Sequence, residues 1–311
     1  MNIIETNDLV KKYGENIAVD SINLSINKGE IYGLLGPNGA GKSTIINMLC
    51  SILKPTNGSL KVFGVDIKSQ NVEMKKRIGL VPQNVAVYKD FTAYENVKLF
   101  GQLYGLKGKK LNENIKNVLE IVGLLDKSKE QAKNLSEGMR RRLNLACAIV
   151  HEPELVIIDE PTIGADKYSK KIILNAIKRL NIKGTTIIYT TNYMEEAEML
   201  CSKIGIIDKG KILVEGTVEE LKSIVSDKNT LQVAVDDVYE LELEEIKNTK
   251  GVSEIILDKN SLTINSKKEI NNLDLLIKSI TESNAQILNF KFKEITLDTV
   301  FLTLTGRSLI G

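Results

Sequence analysis

The architecture of this chain follows from nine residues, Gly36-Pro37-Asn38-Gly39-Ala40-Gly41-Lys42-Ser43-Thr44, which match the phosphate-binding loop pattern in full. They follow a short apolar run, Ile31–Leu35, typical of a fully buried strand, and they lead into an apolar-periodic stretch, 44–53, that predicts a helix. The glycines let successive backbone N–H groups face a polyphosphate, and the helix N-terminus adds partial positive charge. Lys42 is placed to contact the terminal phosphates and Ser43 to ligate Mg²⁺. The lysine and hydroxyl after the last glycine favour a phosphate site over an ordinary glycine-rich turn.

A second motif, Leu155-Val156-Ile157-Ile158-Asp159-Glu160, ends a buried-strand pattern in two adjacent carboxylates. Such a pair lies at the carboxyl edge of the sheet, where α/β proteins bind ligands, and this is a Walker B pattern. Asp159 is expected to hold Mg²⁺ through its water shell, and Glu160 to orient or deprotonate an attacking water. Alone, the pair would also fit two solvated acids at a strand end. Together with the phosphate-binding loop it favours the catalytic interpretation.

The remainder of residues 1–225 alternates between sheet and helix patterns. Residues 21–26 alternate apolar and polar side chains, which predicts a half-buried antiparallel strand. The region 92–150 is mainly helical in pattern and starts with a capping box at Thr92. Buried-strand, helix and buried-strand patterns then follow at 155–158, 170–180 and 186–189. These patterns predict an α/β core with an antiparallel β subdomain and a helical subdomain at about 90–150.

A second domain is predicted for residues 226–311, after a polar boundary at 225–229. Its strand, helix, strand, strand, helix, strand and helix patterns lie at 230–235, 238–248, 252–257, 261–265, 271–283, 285–292 and 297–305. This is the β-α-β-β-α-β order of a ferredoxin-like α+β sandwich with a terminal helix appended. Because the last helix is amphipathic through Val300, Phe301 and Leu304, we expect an accessory domain that helps to hold two subunits together.

Composition argues against several classes of function. The formal net charge is +2 and charges of both signs are interleaved, so no basic stripe is available for a phosphate backbone and no nucleic-acid partner is expected. The three cysteines, Cys50, Cys147 and Cys201, lack metal-ligand spacing and are odd in number, which favours a reducing cytoplasm. No apolar run approaches the ~18 residues that span a bilayer, so membrane association is expected to come through a partner.

The chain resembles the ATP-binding cassette family in a segment that other phosphate-binding-loop proteins lack. Leu135-Ser136-Glu137-Gly138-Met139-Arg140-Arg141-Arg142-Leu143 is similar to the family's signature motif and lies upstream of Asp159, as in the family. The resemblance covers about residues 3–222 and implies ATP and Mg²⁺ as cofactors. It also implies that residues 135–139, called the signature segment below, complete the ATP site of a partner subunit through Ser136 and backbone N–H groups.

Other positions of the sequence also resemble elements of the family. Tyr13 resembles the aromatic residue that stacks on adenine. Gln83 resembles the glutamine that senses Mg²⁺ and couples to the membrane domain, which adds it to Ser43 and Asp159 as a metal ligand. Ile163-Gly164-Ala165-Asp166 resembles the D-loop.

The tail of the chain narrows the resemblance to one branch of the family. Residues 296–307 resemble the tail of the daunorubicin-resistance and multidrug exporter ATPases, which carry such a C-terminal domain. The resemblance implies an export ATPase that pairs with a second copy of itself or a related subunit. It also implies a separate integral membrane permease, which would hold the protein in the cytoplasm against the inner face of the membrane.

The sequence departs from the family pattern at two places. Asn192 stands where the family has the switch-loop histidine, and its shorter amide is expected to miss the γ-phosphate contact. One transition-state donor is typically worth about 10²–10³ in rate, so binding is expected to survive while hydrolysis is put in doubt. In the signature segment, Glu137 replaces a glycine and Met139 an often-found glutamine, which is expected to weaken closure of the subunit pair unless Glu137 points to solvent.

Two rival functions remain open at this point. A soluble family member in translation or DNA repair would usually carry two cassettes or a coiled-coil insertion, and the sequence displays neither. The other rival is a non-hydrolysing regulatory subunit, which is favoured by Asn192 in place of the switch-loop histidine. Arginines 140–142 are interpreted as a solvated helix face, and His151, the only histidine, as structural.

Overall fold

The computed structural model describes residues 1–69, 71–225, 228–267, 269–283, 285–292 and 295–306. It divides the chain into two compact units, Met1–Val218 and Glu219–Gly306. The domain boundary predicted at 225/226 therefore lies a short way beyond this division, and Ser226 and Asp227 of the predicted boundary are outside the described residues. Arg307, in the tail that carries the branch resemblance, is outside them as well.

The first unit contains two sheets. Its strands are β1 (Asn2–Tyr13), β2 (Asn16–Ile22), β3 (Ser25–Asn27), β4 (Ile31–Leu35), β5 (Asn57–Val62), β6 (Val65–Asp66), β7 (Ile78–Val81), β8 (Leu155–Asp159), β9 (Thr186–Thr191), β10 (Lys203–Asp208) and β11 (Lys211–Gly216). The central sheet has the order β11-β10-β4-β9-β8-β7, with β10, β4, β9, β8 and β7 parallel and β11 antiparallel to β10. The other sheet is antiparallel, with the order β2-β1-β5-β6 and β3 paired to β1.

Helices flank the central sheet and form the insertion between β7 and β8. They are α1 (Lys42–Leu49), α2 (Val72–Lys76), α3 (Ala93–Leu103), α4 (Gly108–Ile121), α5 (Glu137–Ile149), α6 (Lys167–Ile182) and α7 (Met194–Leu200). The predicted helical region 92–150 corresponds to α3, α4 and α5, and the predicted capping box is present: Glu95 N donates to Thr92 Oγ1, and Thr92 N donates to Glu95 Oε2. No described helix is long and apolar enough to span a bilayer.

The strand predicted over 21–26 is wrong in one respect. Ile22, Leu24 and Ile26 are all buried, as the alternation predicts, but β2 ends at Ile22 and β3 begins at Ser25. Thr6 of β1 is responsible, because its hydroxyl donates to Ile22 O at 2.8 Å and accepts from Leu24 N at 2.7 Å. A side chain from elsewhere in the sequence thus replaces part of the backbone ladder.

The second unit is an antiparallel sheet with helices and a core of its own. After α8 (Val218–Ser223) come β12 (Lys228–Val235), α9 (Leu243–Asn248), β13 (Val252–Asp258), β14 (Ser261–Lys267), α10 (Leu273–Glu282), β15 (Ile287–Phe292) and α11 (Leu297–Thr305). The strand order is β13-β14-β12-β15, and each neighbouring pair is antiparallel. Its core includes Val233, Ile246, Ile264 and Ile280, each fully buried and each contributing about 1.5–3 kcal/mol.

Candidate nucleotide-binding site

The parallel pairing of β4, β9 and β8 brings the predicted motifs together. These three strands are neighbours in the central sheet and run in the same direction, so their carboxyl ends meet at one edge. The phosphate-binding loop follows β4, the carboxylates of the Walker B pattern end β8, and Asn192 follows β9. Segments that lie more than a hundred residues apart in the chain therefore form one site.

The phosphate-binding loop turns into α1 at a position that only glycine fits. Gly41 has φ 109°, in the region that side chains disfavour, and a Cβ there would lie 2.5 Å from the backbone oxygen of Ala18. Lys42 follows directly, and its side chain is buried. Its Nζ donates to Gly36 O at 2.7 Å and to Pro37 O at 3.2 Å, so the ammonium group lies across the mouth of its own loop.

Asp159 faces the hydroxyl of the phosphate-binding loop. Ser43 Oγ donates to Asp159 Oδ2 at 3.2 Å, and Thr190 Oγ1 donates to Asp159 Oδ1 at 2.6 Å. Ser43 lies in α1 after β4, and Thr190 lies in β9, the strand between β4 and β8. Asp159 is itself buried. A carboxylate and a hydroxyl, the hard oxygen ligands that Mg²⁺ prefers, therefore lie together at the start of α1.

Glu160 is held by contacts on both of its carboxylate oxygens. Gln83 Nε2 donates to Glu160 Oε2 at 2.7 Å, and Lys42 Nζ lies 3.4 Å from Glu160 Oε1. The backbone at Glu160 is left-handed, with φ 47°, a conformation that costs of order 1 kcal/mol outside glycine. Its backbone N–H donates to Thr190 of β9, to the carbonyl oxygen and the hydroxyl, each at 3.1 Å. The site thus fixes the orientation of this acid from three separate elements.

A cleft of about 300 Å³ opens over these residues. Its lining is Ala18, Asn38, Gly39, Gly41, Lys42, Ser43, Thr44, Gln83 and Glu160. Ala18 was missed by sequence reasoning, because a small apolar residue in β2 carries no motif. Tyr13 is not part of this lining. It ends β1 with 47 % of its surface exposed, and Lys11 Nζ lies 5.3 Å from the centre of its ring.

Asn192 lies in the short turn between β9 and α7. Its Oδ1 is buried, and no described residue provides a hydrogen bond to it. The turn is fixed on either side, because Tyr193 N donates to Thr191 Oγ1 at 3.0 Å. The Oδ1 atom of Asn192 is therefore a buried acceptor to which no described group donates.

A buried carboxylate that sequence reasoning missed lies behind this turn. Glu196 of α7 is 1 % exposed, and Thr162, Tyr189 and Thr191 all donate hydroxyl hydrogen bonds to it. Lys170 Nζ of α6 lies 2.8 Å from its Oε1. Burial and then the charge of Glu196 raise the pKa of Tyr189 well above its ordinary range, so that hydroxyl remains a donor. Glu196 therefore links the segments that follow β8 and β9.

The signature segment forms the N-terminal turn of α5. Ser136 is the N-cap and accepts from Met139 N at 3.2 Å. Gly138 packs against the start of α6, since a Cβ there would lie 2.6 Å from Asp166 Oδ2 and 2.5 Å from Ser169 Oγ. Asp166 caps α6, and the hydrogen bonds that it accepts from Ser169 lower the pKa of its carboxyl. The signature segment and the predicted D-loop are thus neighbours within one subunit.

The interpretation of arginines 140–142 as a solvated face is wrong. Arg140 Nη2 lies 2.8 Å from Glu137 Oε2, and Arg141 Nε lies 3.4 Å from Glu137 Oε1. Arg142 is 4 % exposed and donates to the carbonyl oxygens of Val122 and Gly123, both at 3.0 Å. Arg142 is thus turned inward, where it donates to two backbone carbonyls, and Arg140 and Arg141 are partly buried beside Glu137.

Comparison with known proteins decides the family. A model of the ABC transporter family matches residues 19–163. A linearmycin resistance ATP-binding protein of Bacillus subtilis is 38 % identical over 309 residues, which span 99 % of both chains. The chain belongs to the ABC transporter family. A daunorubicin/doxorubicin resistance ATP-binding protein of Streptomyces peucetius is 35 % identical over 98 % of this chain and 92 % of its own length, so the predicted branch is confirmed as well.

Solved structures confirm the fold of the ABC core. A nucleotide-free ATP-binding cassette of an ABC transporter matches with a TM-score of 0.65 at 26 % identity, over 73 % of this chain and 96 % of that chain. A dimeric ATP-binding cassette in a post-hydrolysis state, bound to ADP and Pi, matches with a TM-score of 0.63 at 26 % identity, over 69 % and 98 %. This chain is therefore an ABC ATP-binding subunit of a transporter.

The residues of this subunit fit a magnesium ion held together with nucleotide. The described residues contain no group of three or more histidine, cysteine, aspartate or glutamate side chains able to hold a metal alone. Mg²⁺ typically uses one or two protein oxygens and completes its shell with substrate phosphates and water. The pairing of Ser43 Oγ with Asp159 offers such a partial set.

Proposed function

We propose that this chain binds ATP and Mg²⁺ and hydrolyses ATP, and that it drives export through a separate membrane permease as one half of an ATPase pair. The observation that carries the proposal is the cluster of Lys42, Glu160 and Gln83, in which a buried ammonium group, a buried carboxylate and an amide meet in one cleft. Relatives named for drug resistance and matched over nearly their full length support the export role.

The side chains in and beside the cleft take the following roles. Lys42 and the backbone N–H groups of the loop bind the terminal phosphates of ATP. Ser43, Asp159 and Gln83 hold Mg²⁺, which neutralises phosphate charge when it is bound. Glu160 accepts the proton of the attacking water, and its tether to Gln83 keeps that acceptor in place. The exposed ring of Tyr13 stacks on adenine.

The second subunit completes the site. Ser136 and the backbone N–H groups of the signature segment contact the partner's ATP, because the N-terminus of α5 carries partial positive charge. The negative charge of Glu137 is offset by Arg140 and Arg141, so its replacement of a glycine repels a triphosphate less than an unpaired carboxylate would. Asp166 lies beside Gly138, which supports assigning the D-loop to the same pairing surface.

The test joins this subunit to its permease. The membrane protein encoded beside it is co-expressed, and ATP-dependent uptake of doxorubicin is measured in inverted membrane vesicles. We expect uptake with the wild-type subunit. Glu160→Gln, which retains the shape of the side chain but not the basic carboxylate, is expected to lower the ATP turnover rate at least about 10²-fold. If Glu160→Gln turned over ATP as fast as wild type, the assignment of the base would be wrong. Turnover without transport of any tested compound, and without a neighbouring permease, would contradict the export role.

A second candidate function is a subunit that binds ATP but hydrolyses it slowly. Asn192 favours it, because its shorter amide is expected to fall short of the γ-phosphate and its buried Oδ1 is an acceptor, which cannot donate to phosphate oxygen. Such a subunit would act as a clamp that stays closed on ATP.

A further inference from the structure

Helix α5 holds the backbone around Gln83 at three points. Arg141 Nη1 donates to the carbonyl oxygen of Gln83 at 3.2 Å. Asn144 Nδ2 donates to Pro82 O at 3.3 Å, and Asn144 Oδ1 accepts from Ala86 N at 3.2 Å. Asn144 is 5 % exposed, so both ends of its amide are used in a buried setting. The segment is therefore tied to α5 on both sides of Gln83.

Arg141 also reaches back to the first turn of α5. Its Nε lies 3.4 Å from Glu137 Oε1, and only 13 % of its side chain is exposed. Arg140 Nη2 lies 2.8 Å from the other oxygen of Glu137 but sends its Nη1 to Leu135 O at 2.8 Å. Two neighbouring arginines thus share one carboxylate, and of the two only Arg141 has a described contact with the Gln83 segment.

The side chain of Gln83 in turn contacts Glu160, the proposed acceptor of the water proton. Gln83 Nε2 donates to Glu160 Oε2 at 2.7 Å, and Lys42 Nζ lies 3.4 Å from Glu160 Oε1. A continuous set of polar contacts therefore runs from Glu137 through Arg141 and the Gln83 backbone to Glu160. The link from Glu137 to Arg141 is an ion pair, whereas the links from Arg141 to Gln83 and from Gln83 to Glu160 are hydrogen bonds. A shift of Arg141 would therefore change the contacts that hold Gln83 and, through them, those of Glu160.

We propose that Arg141 and Asn144 are positioning residues through which the signature helix of a subunit sets the place of its own Gln83 and Glu160. The position of the N-terminal turn of α5, the turn expected to meet the partner's ATP, then influences the carboxylate in the subunit's own cleft. This inference rests on the roles proposed above for Gln83 and Glu160.

The experiment compares Arg141→Met with the matched control Arg140→Met. Both variants remove a guanidinium group that pairs with Glu137, but only Arg141→Met removes the contact with Gln83 O. We expect Arg141→Met to lower kcat roughly tenfold, below the 10²-fold that a misplacement of 1 Å can cost, with unchanged ATP affinity and Tm. Each variant removes one of the two guanidinium groups that offset the charge of Glu137, so any effect of that charge on the partner's ATP is common to both. Arg140→Met is therefore expected to lower kcat at least about threefold less than Arg141→Met, because only Arg141 contacts Gln83 O. Equal effects of the two variants on kcat would overturn the proposal.

Two further readouts separate positioning from a general structural role. In a Gln83→Ala background, Arg141→Met is expected to have no further effect on kcat, because its action passes through Gln83. Independently of turnover, amide hydrogen exchange of the 82–90 segment is expected to be roughly fivefold faster in Arg141→Met than in Arg140→Met. An additive effect on kcat, or identical exchange in the two variants, would contradict the proposal. If the wild type failed to hydrolyse ATP, the proposed function would fall, while the exchange measurement would still decide this inference.

Discussion

At the scale of single residues, Lys42 supplies the positive charge of the phosphate-binding loop, and its ammonium group is already directed at the loop mouth by Gly36 O and Pro37 O. We expect Lys42→Ala to weaken Mg-ATP binding by at least about tenfold, because a hydrogen bond to a charged group contributes about 1.5–3 kcal/mol. Isothermal calorimetry provides the measurement, with Lys61→Ala, an exposed lysine of β5, as the control. Equal ATP affinity in wild type and Lys42→Ala would refute the role of the loop.

We expect the rate of ATP hydrolysis by this subunit to depend on Asn192. Its amide stands in for the family's histidine at the end of β9, while the acceptor Glu160 and the ligand Asp159 are in place. We expect wild-type turnover below about 1 per second, under the usual enzyme range. Asn192→His is expected to raise kcat by at least about tenfold with little change in ATP affinity, since the restored donor acts mainly in the transition state.

Asn192→Asp serves as the matched control, because it has the same shape but no N–H donor. In steady-state ATPase assays, we expect the highest kcat for Asn192→His, a lower kcat for the wild type and the lowest kcat for Asn192→Asp. An Asn192→His variant no faster than its parent, or a wild type already at ordinary rates, would mean that a water or a partner donor acts in place of the histidine.

At the scale of elements, the ring of His151 links the end of α5 to β7 and to the residue after α3. It stacks on Tyr104 with centroids 3.5 Å apart, and its Nε2 lies 3.2 Å from Ile78 O, which agrees with the structural role expected for it. Burial lowers the pKa of His151 to about 4, from 6.5 in an exposed histidine. The folded protein therefore keeps this ring neutral at a pH where the unfolded chain binds a proton.

The free energy of unfolding is accordingly expected to fall as pH is lowered from about 6.5 toward about 4, and to be unaffected by this group above pH 6.5. Because the chain has one histidine, His151→Phe, which retains a ring for the stack, should remove this dependence between about pH 6.5 and 5, where carboxylates contribute less. Urea denaturation at a series of pH values measures it. Parallel pH profiles for the two proteins would show that the folded state binds the proton as readily as the unfolded chain.

At the scale of the whole molecule, the two units have separate cores, and the second has its own four-stranded sheet. We propose that the C-terminal region stabilises the subunit pair. A chain that ends at Val225 is expected to bind ATP with unchanged affinity and to dimerise at least about tenfold more weakly, equivalent to about 1.4 kcal/mol. Sedimentation in Mg-ATP, with Glu160→Gln in both proteins to prevent hydrolysis, gives the comparison. Unchanged dimer affinity, or loss of the fold of the first unit, would count against the proposal.

The amino-acid sequence alone determined the elements whose causes are local. The phosphate-binding loop, the capping box at Thr92 and the acids that end β8 each depend on residues within a few positions of one another, so their patterns are legible without a fold. The β-α-β-β-α-β order of the second unit follows from the same periodicities, because an alternating or a helical stripe of apolar residues specifies its own element.

Contacts between distant segments were decided only by the tertiary structure. The break between β2 and β3 depends on the hydroxyl of Thr6. The burial of Arg142 depends on backbone carbonyls near residue 122. The position of Glu160 depends on Gln83, which lies 77 residues away in the chain. None of these pairs has a periodic signature, because a hydrogen bond across the fold depends on where the backbone brings two groups, not on their spacing in the chain. The sheet order β4-β9-β8 sets that placement, and with it the chemistry of the cleft.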